Sequence, residues 1–269
     1  MKRTSPWPFL VAFALSVLQT AWAAEAVREY APAREIVDAT GFAGTVLVYD
    51  LGSNEYQAGH AERVDRRLIP ASTFKVFSSL AALETGVIAD AHTVIPWDGV
   101  VRERTEINRD LDLRDAFRLS AVPHYQGLVR EIGAQRMQAL IDAVGYGNRD
   151  ISGGIDRFWL SGALRISPRE QVGFLTRLYR SDLPFSTETM VQVRDIMVSE
   201  QTDDYTIRSK TGWAILPEAR NVGWWVGWVE HGADVTFFAA ALEATEPDES
   251  FLAARQAVAR RTLAALGVL

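Results

Sequence analysis

The sequence predicts an α+β fold: one antiparallel sheet built from both ends of the chain, flanked by helices, with an all-helical subdomain inserted between its parts. Three observations predict it. Strand-like runs occupy residues 45–56, helical spacing dominates from the 70s to about 199, and β-branched and aromatic runs return between 205 and 243 before a last helix. Two separated β regions that each need a hydrophobic face covered are most simply joined in one sheet, which makes the helical stretch an insertion. The 269 residues suit one large domain or two interleaved subdomains, and 48% hydrophobic with 23% charged residues is an ordinary globular composition.

Taken in order, Ala33 to Ala39 predicts a short helix ending at Gly41, and Thr45 to Tyr49 a buried strand. Gly52-Ser53-Asn54 turns the chain into a second strand near Tyr56. A helix carrying Ser72 follows, with Val76, Phe77, Leu80 and Leu83 as its apolar positions, and closes at Gly86. Leu113–Leu119, Tyr125–Ile132 and Arg136–Val144 each carry apolar residues at helical spacing. Ser167-Pro168-Arg169-Glu170 is a capping box with proline at the first helical position, opening a helix to about Arg180. Glu188–Met197 is the next helix. Strands are expected over Tyr205–Lys210, Val222–Glu230 and Val235–Glu243, the last two joined by His231-Gly232-Ala233-Asp234. Pro247 then opens a terminal helix that ends near Leu266-Gly267.

Chemistry concentrates at Ser72 and Lys75. Three residues apart on a helix, a hydroxyl and an amine share one face. An unprotonated lysine there can take the serine proton, and the helix N-terminus favours developing negative charge. Composition isolates the same residue. Of 28 Lys+Arg only Lys2, Lys75 and Lys210 are lysines. Arginine cannot give up its proton in a protein, whereas a desolvated lysine can. A chain that uses arginine everywhere else keeps lysine where a neutral amine is needed.

Several function classes are disfavoured. Residues 1–23 read as a secretory leader: Lys2 and Arg3, an apolar stretch from Phe9 to Leu18, then Ala21-Trp22-Ala23 as the cleavage site. Its apolar stretch is too short to span a bilayer. Cleavage removes two positive charges and no negative one, so the mature chain is more acidic than the −6 of the whole sequence. That balance argues against a nucleic-acid partner. The absence of cysteine excludes disulfides, a lipoprotein anchor, thiol catalysis and cysteine-ligated metal. His60, His92, His124 and His231 are scattered, so no metal site is expected. No G-x-S-x-G turn frames a serine, which disfavours a Ser-His-Asp hydrolase. A periplasmic location without a stable membrane anchor is expected, as a monomer or a homodimer.

Further motifs complete the set. Ser120-Ala121-Val122 lies at the end of a helical stretch, Tyr146-Gly147-Asn148 is a turn, and Lys210-Thr211-Gly212 sits on a strand where Gly212 admits close approach of a ligand. One serine and one lysine three apart arise by chance about once in a chain of this size. All of these in this order do not. Together with Pro70-Ala71-Ser72-Thr73-Phe74-Lys75, Phe158-Trp159-Leu160, Lys210-Thr211-Gly212-Trp213 and Trp224-Trp225-Val226-Gly227-Trp228, the pattern resembles the serine β-lactamases and penicillin-binding proteins. Within them it resembles the class D β-lactamases over essentially the whole mature chain. Where class A enzymes carry S-D-N, the third position here is the apolar Val122.

The resemblance implies a transpeptidase-like fold with a leader over 1–23 and one catalytic domain over 24–269. Residues 24–70 and 200–269 would form its sheet part and 71–199 its helical part. It implies β-lactam hydrolysis by a Ser72 nucleophile, with no bound cofactor but with CO2 or bicarbonate captured as a carbamate on Lys75. Phe74, Val122, Trp159 and Leu160 would wall that carbamate, with the Trp159 indole as a donor. Ser120 and Lys210 would move protons, and backbone N–H groups of Ser72 and Trp213 would hold the oxyanion. Thr211 and Arg255 would bind the substrate carboxylate. Two relatives of this chemistry stay open: a penicillin-binding DD-peptidase and a β-lactam sensor that remains acylated. Val122 and the compact length favour the lactamase over the first. A cleavable leader in place of transmembrane helices favours it over the second.

Overall fold

The structure is a computed structural model and describes residues 26–269; the expected leader lies outside them. Strand β1 (Val27–Glu29) and helix α1 (Ala31–Asp38) precede a hairpin of β2 (Ala43–Asp50) and β3 (Glu55–Gly59). The helical block contains α2 (Lys75–Glu84), a small hairpin of β4 (Val94–Ile95) and β5 (Leu111–Asp112), then α3 (Leu113–Arg118) and α4 (Val122–Ile132). It continues through α5 (Ala134–Val144), α6 (Pro168–Arg180) and α7 (Thr187–Ile196). The chain then returns as β6 (Val198–Gln201), β7 (Thr206–Ile215), β8 (Arg220–His231) and β9 (Asp234–Thr245), ending in α8 (Phe251–Ala265).

The sheet runs β1-β3-β2-β9-β8-β7-β6. Its central seam joins the two chain ends, with β2 antiparallel to β9 and Val46 opposite Ala240. Alternation along these strands separates two cores. Leu47, Tyr49, Trp224, Val226, Trp228, Phe237 and Ala239 face the helical block. Val46, Val48, Trp225, Val229, Phe238 and Ala240 face α1 and α8. Because β8 and β9 are covered on both faces, each reads as a nearly unbroken apolar run.

The helix signals hold. Glu170 N–H donates to Ser167 Oγ at 3.2 Å and Ser167 N–H to a Glu170 carboxylate oxygen at 2.9 Å, closing the predicted capping box. Gly86, at φ +69°, closes the Ser72 helix. Some boundaries move. Ala71–Phe74 forms a 3₁₀ turn, so α2 proper begins at Lys75. Strand β7 continues five residues past the expected end at Lys210. Helix α8 starts at Phe251 rather than Pro247, because the Asp248 carboxylate accepts from Ser250 N–H and Oγ–H and sets the first turn there. Four strands were not expected: β1, β4, β5 and β6. They span two to four residues each, too few for a period to register. Strand β1 pairs parallel with β3, a departure from the all-antiparallel expectation.

Candidate active site

Ser72 and Lys75 sit where α2 docks onto β7. On β7, Ile207 packs toward α8 and Ala214 toward the helical block. With a two-residue period, Lys210 and Gly212 share the face of Ala214 and look toward the Ser72 turn. A Cβ on Gly212 would lie 3.0 Å from the Pro70 carbonyl oxygen, 3.1 Å from Thr73 Cγ2 and 3.2 Å from Trp224 Cβ. The glycine therefore admits the nucleophile turn itself against the strand. Thr73 Oγ1 donates to the Pro70 carbonyl at 2.8 Å and accepts from Gln171 Nε2 at 2.7 Å, tying the turn to α6. Trp224 Nε1–H holds the preceding carbonyl, Ile69, at 2.8 Å.

Within this frame the Lys75 amine donates to Ser72 Oγ at 2.9 Å. Lys75 is wholly buried and Ser72 nearly so. Burial, with smaller contributions from the Lys210 and Arg104 charges, pushes the Lys75 amine well below the usual lysine range. The amine lies 5.1 Å from the centre of the Tyr125 ring. Tyr125 Oη and Ser79 Oγ are 2.8 Å apart, and Ser79 also donates to the Lys75 carbonyl at 2.7 Å. Phe74 stacks on Trp159 at 5.5 Å and Trp159 O accepts from Ala71 N–H at 3.0 Å. Leu160 packs against the same core, half-buried, and Val122 is half-buried at the first position of α4.

The indole of Trp159 is unlike the others. Among the six described tryptophans, Trp97, Trp213, Trp224, Trp225 and Trp228 each donate to an acceptor within 3.1 Å. Trp159 Nε1–H is fully buried and has none. A buried donor left unpaired costs about 1–3 kcal/mol.

Ser120 occupies a strained position. Its N–H donates to Phe117 O at 3.0 Å and the next N–H, of Ala121, to Ala116 O at 2.9 Å. That pair of bonds is a Schellman close to α3, and Ser120 holds the left-handed place, φ +53°, that glycine usually fills. Ala71, just before the nucleophile, also has a positive φ of 50°. Strain of this kind collects at functional sites.

Lys210 is buried, and its amine donates to the Thr211 carbonyl at 3.2 Å and stands 5.5 Å from the Phe117 ring centre. Burial, then the Arg255 and Arg104 charges, bring its pKa to about 7. Arg255 reaches from α8 to donate to the Gly212 carbonyl at 2.5 Å, and burial lowers it to about 10. Gly223 makes that reach feasible: a Cβ there would sit 3.0 Å from the Phe251 ring, the first residue of α8. Trp213 is 44% exposed, with its indole N–H on Asn221 Oδ1 at 2.8 Å. Asn148 of the Tyr-Gly-Asn turn accepts from Arg165 N–H and donates to the Ala163 carbonyl, a structural tie between loops.

The structure brings Ser72, Lys75, Lys210, Thr211, Gly212 and Arg255 together through direct bonds or close approach, and stacks Trp159 on Phe74; Val122 and Leu160 are half-buried. Tyr125, Ser79, Phe117 and Arg104 were missed. Ser79 had a signal, lying one helical turn after Lys75. Arg104 had none, since it arrives on a loop, where its guanidinium donates to the Leu119 carbonyl at 2.8 Å, next to Ser120. Among the described residues no cluster of three or more His, Cys, Asp or Glu could hold a metal ion.

A hydroxyl bonded to a buried lysine amine, a serine in a strained turn and a Lys-Thr-Gly strand define a serine acyl-transfer site. Residues 44–264 match the penicillin binding protein transpeptidase domain. β-Lactamase OXA-5 of Pseudomonas aeruginosa is 41% identical over 228 residues, 84% of this chain and 85% of that one. β-Lactamase OXA-48 of Klebsiella pneumoniae is 41% identical over 220 residues, 82% of each. The class D β-lactamase YbXI from Nostoc superposes with a TM-score of 0.84 at 44% identity, covering 88% of this chain and 99% of that one. The chain belongs to the class D β-lactamases, serine hydrolases of β-lactams within the penicillin-binding transpeptidase fold.

Proposed function

We propose that this enzyme hydrolyses β-lactams through a Ser72 acyl-enzyme, with carboxylated Lys75 as the general base for both acylation and deacylation. The observation that carries this reading is the buried, unpaired Trp159 indole N–H, on the ring that stacks over the residue preceding Lys75. The site residues fit a carbamate: an amine pushed toward its neutral form, a spare buried donor and cationic surroundings from Lys210 and Arg104. When formed, the carbamate supplies a carboxylate-like base where the free amine stands.

In this reading Ser72 Oγ adds to the β-lactam carbonyl as its proton leaves toward Lys75. The Ser72 and Trp213 backbone N–H groups hold the oxyanion, a contribution of roughly 3–4 kcal/mol per donor. As the ring C–N bond breaks, Ser120, fed by Lys210 at its pKa near 7, protonates the departing nitrogen. Thr211 and Arg255 orient the substrate carboxylate. Water then cleaves the Ser72 ester. Residues 24–269 act as one catalytic domain, the sheet part (24–70 and 200–269) and the helical part (71–199) supplying opposite walls. The basic start, apolar stretch and Ala-Trp-Ala of residues 1–23 support export to the periplasm. No described helix is long and apolar enough to cross a membrane.

The test is penicillin hydrolysis in bicarbonate-free buffer and after bicarbonate is restored, beside a ¹³C spectrum of enzyme in labelled bicarbonate. Turnover should fall, recover, and track a carbamate carbonyl signal absent from Lys75→Met. Full activity without bicarbonate and no such signal would remove the base from the mechanism.

A further inference from the structure

Away from Ser72, a cavity of about 850 Å³ opens at the end of the sheet, between the loop before the nucleophile turn, the start of β8 and the end of β9. Five arginines line it: Arg63, Arg66, Arg67, Arg165 and Arg220. Most of their charge has an assigned partner. Glu243 takes Arg63 and Arg66, each at 2.7 Å, and Glu170 takes Arg67. Two further acids, Glu246 and Asp248, stand on the rim, Asp248 accepting from Ser250 N–H and Oγ–H.

Arg165 and Arg220 have no such partner. Among the described residues neither forms an ion pair with a carboxylate. The Arg165 guanidinium donates only to the carbonyls of Gly162 and Leu164, at 2.7 and 2.8 Å; the Asp150 carboxylate is near enough to favour its charge but not in ion-pair contact. Arg220 is exposed and faces it across the cavity. The two are close enough that burial and the Arg220 charge hold Arg165 below the ordinary arginine range. A protein with net charge −6 thus keeps two like charges together over one concave surface. Like charges held in that way are relieved by an anion, and guanidinium forks match the oxygens of carboxylates and phosphates in pairs.

We propose that this cavity is a second ligand site, separate from the Ser72 site, which takes a small multivalent oxyanion bridging Arg165 and Arg220. Phosphates and polycarboxylates share the required chemistry. The volume lies within the range of small-molecule pockets. The cavity also reaches Asn221, whose side chain holds the Trp213 indole, and Ile69, whose carbonyl holds Trp224.

Titration calorimetry with pyrophosphate and with citrate, in chloride of matched ionic strength, tests the site. The Arg255→Ala background removes the anion contact of the active site. Binding should persist there, and Arg220→Gln should weaken it roughly tenfold or more, the loss expected for one charge-assisted contact. The Arg220 guanidinium makes no hydrogen bond among the described residues, and its main chain, which accepts from Leu216 N–H at 2.7 Å, is untouched by the substitution, so its variant keeps the structure; Arg165→Gln, which can still donate to one carbonyl, is the second probe. Preference for pyrophosphate or for citrate assigns the source of the oxyanion. Binding that disappears with Arg255→Ala, that ignores Arg220→Gln, or that is undetectable with both probes overturns the proposal.

Discussion

Lys75 and Lys210 come to the site from opposite layers, one on the first turn of α2 and one on β7, and both are buried. Desolvation lowers both, yet to different ends. Lys75 is driven well below the usual range and bonds the Ser72 hydroxyl, whereas Lys210 stops at about 7 and bonds a backbone carbonyl. The helix side surrounds its amine with Tyr125, Phe74 and Trp159 and leaves a spare indole N–H. The strand side offers a main-chain acceptor and an aromatic face at Phe117. On the proposed mechanism, one amine is kept ready for a reaction at nitrogen and the other exchanges a proton near neutrality. Burial alone does not assign a role, and the partner atoms do.

The strongest way to break this contrast is Lys75→Met. Turnover of a penicillin should fall at least about 10⁴-fold, the scale for losing one member of a nucleophile–base pair. Its melting temperature should rise, because an apolar chain replaces a buried amine. An equally disabled Lys210→Met with the same acylation rate as Lys75→Met would erase the distinction. Next in size is Ser120→Gly, which relieves a left-handed non-glycine residue worth about 1–2 kcal/mol. For a domain of this length we expect a gain of about 2–8 °C, with turnover down about 10²-fold. A variant both less stable and fully active would separate the strain from the chemistry.

Trp159→Phe keeps the ring and removes the N–H. The bicarbonate concentration for half-maximal turnover should rise roughly tenfold to a hundredfold, since a charge-assisted hydrogen bond is worth about 1.5–3 kcal/mol. An unchanged requirement would place the acceptor elsewhere. A further effect is on stability against pH. Below about pH 7 Lys210 is protonated in both folded and unfolded chains, and the penalty for burying its charge is complete. Between about 7 and the ordinary lysine value the unfolded chain holds a proton that the folded one lacks. Stability should therefore climb with pH there, by up to about 1.4 kcal/mol per unit, and level off above. Denaturant melts of wild type and Lys210→Met across that window should show the slope in the first and a flatter profile in the second.

Long periodic segments were readable in advance because their signals repeat. The Ser167–Glu170 box and the glycine at 86 fixed helix ends through local hydrogen bonding and φ. Short edge strands such as β1 and β6 were invisible, since their pairing partners, not their own pattern, make them strands. At the site, Ser72 with Lys75 was legible from helical spacing. The Trp159 donor was expected from resemblance, but that five other described indoles are satisfied and this one is not is purely tertiary. Tyr125 and Arg104 belong to the same class: helix packing and a loop path bring them in, and no spacing announces either. Gly212 was expected to admit a ligand; the neighbour it spares is the Ser72 turn.

The two buried lysines have a practical corollary for anyone handling this enzyme. Among the described residues no lysine reaches the surface, so amine-directed dyes, cross-linkers and resin couplings find no lysine side chain to attack between residues 26 and 269 while they stay folded. Acylation of Lys75 or Lys210 after such treatment marks either the reacting centre or an unfolded fraction, and becomes a direct gauge of how often the centre opens.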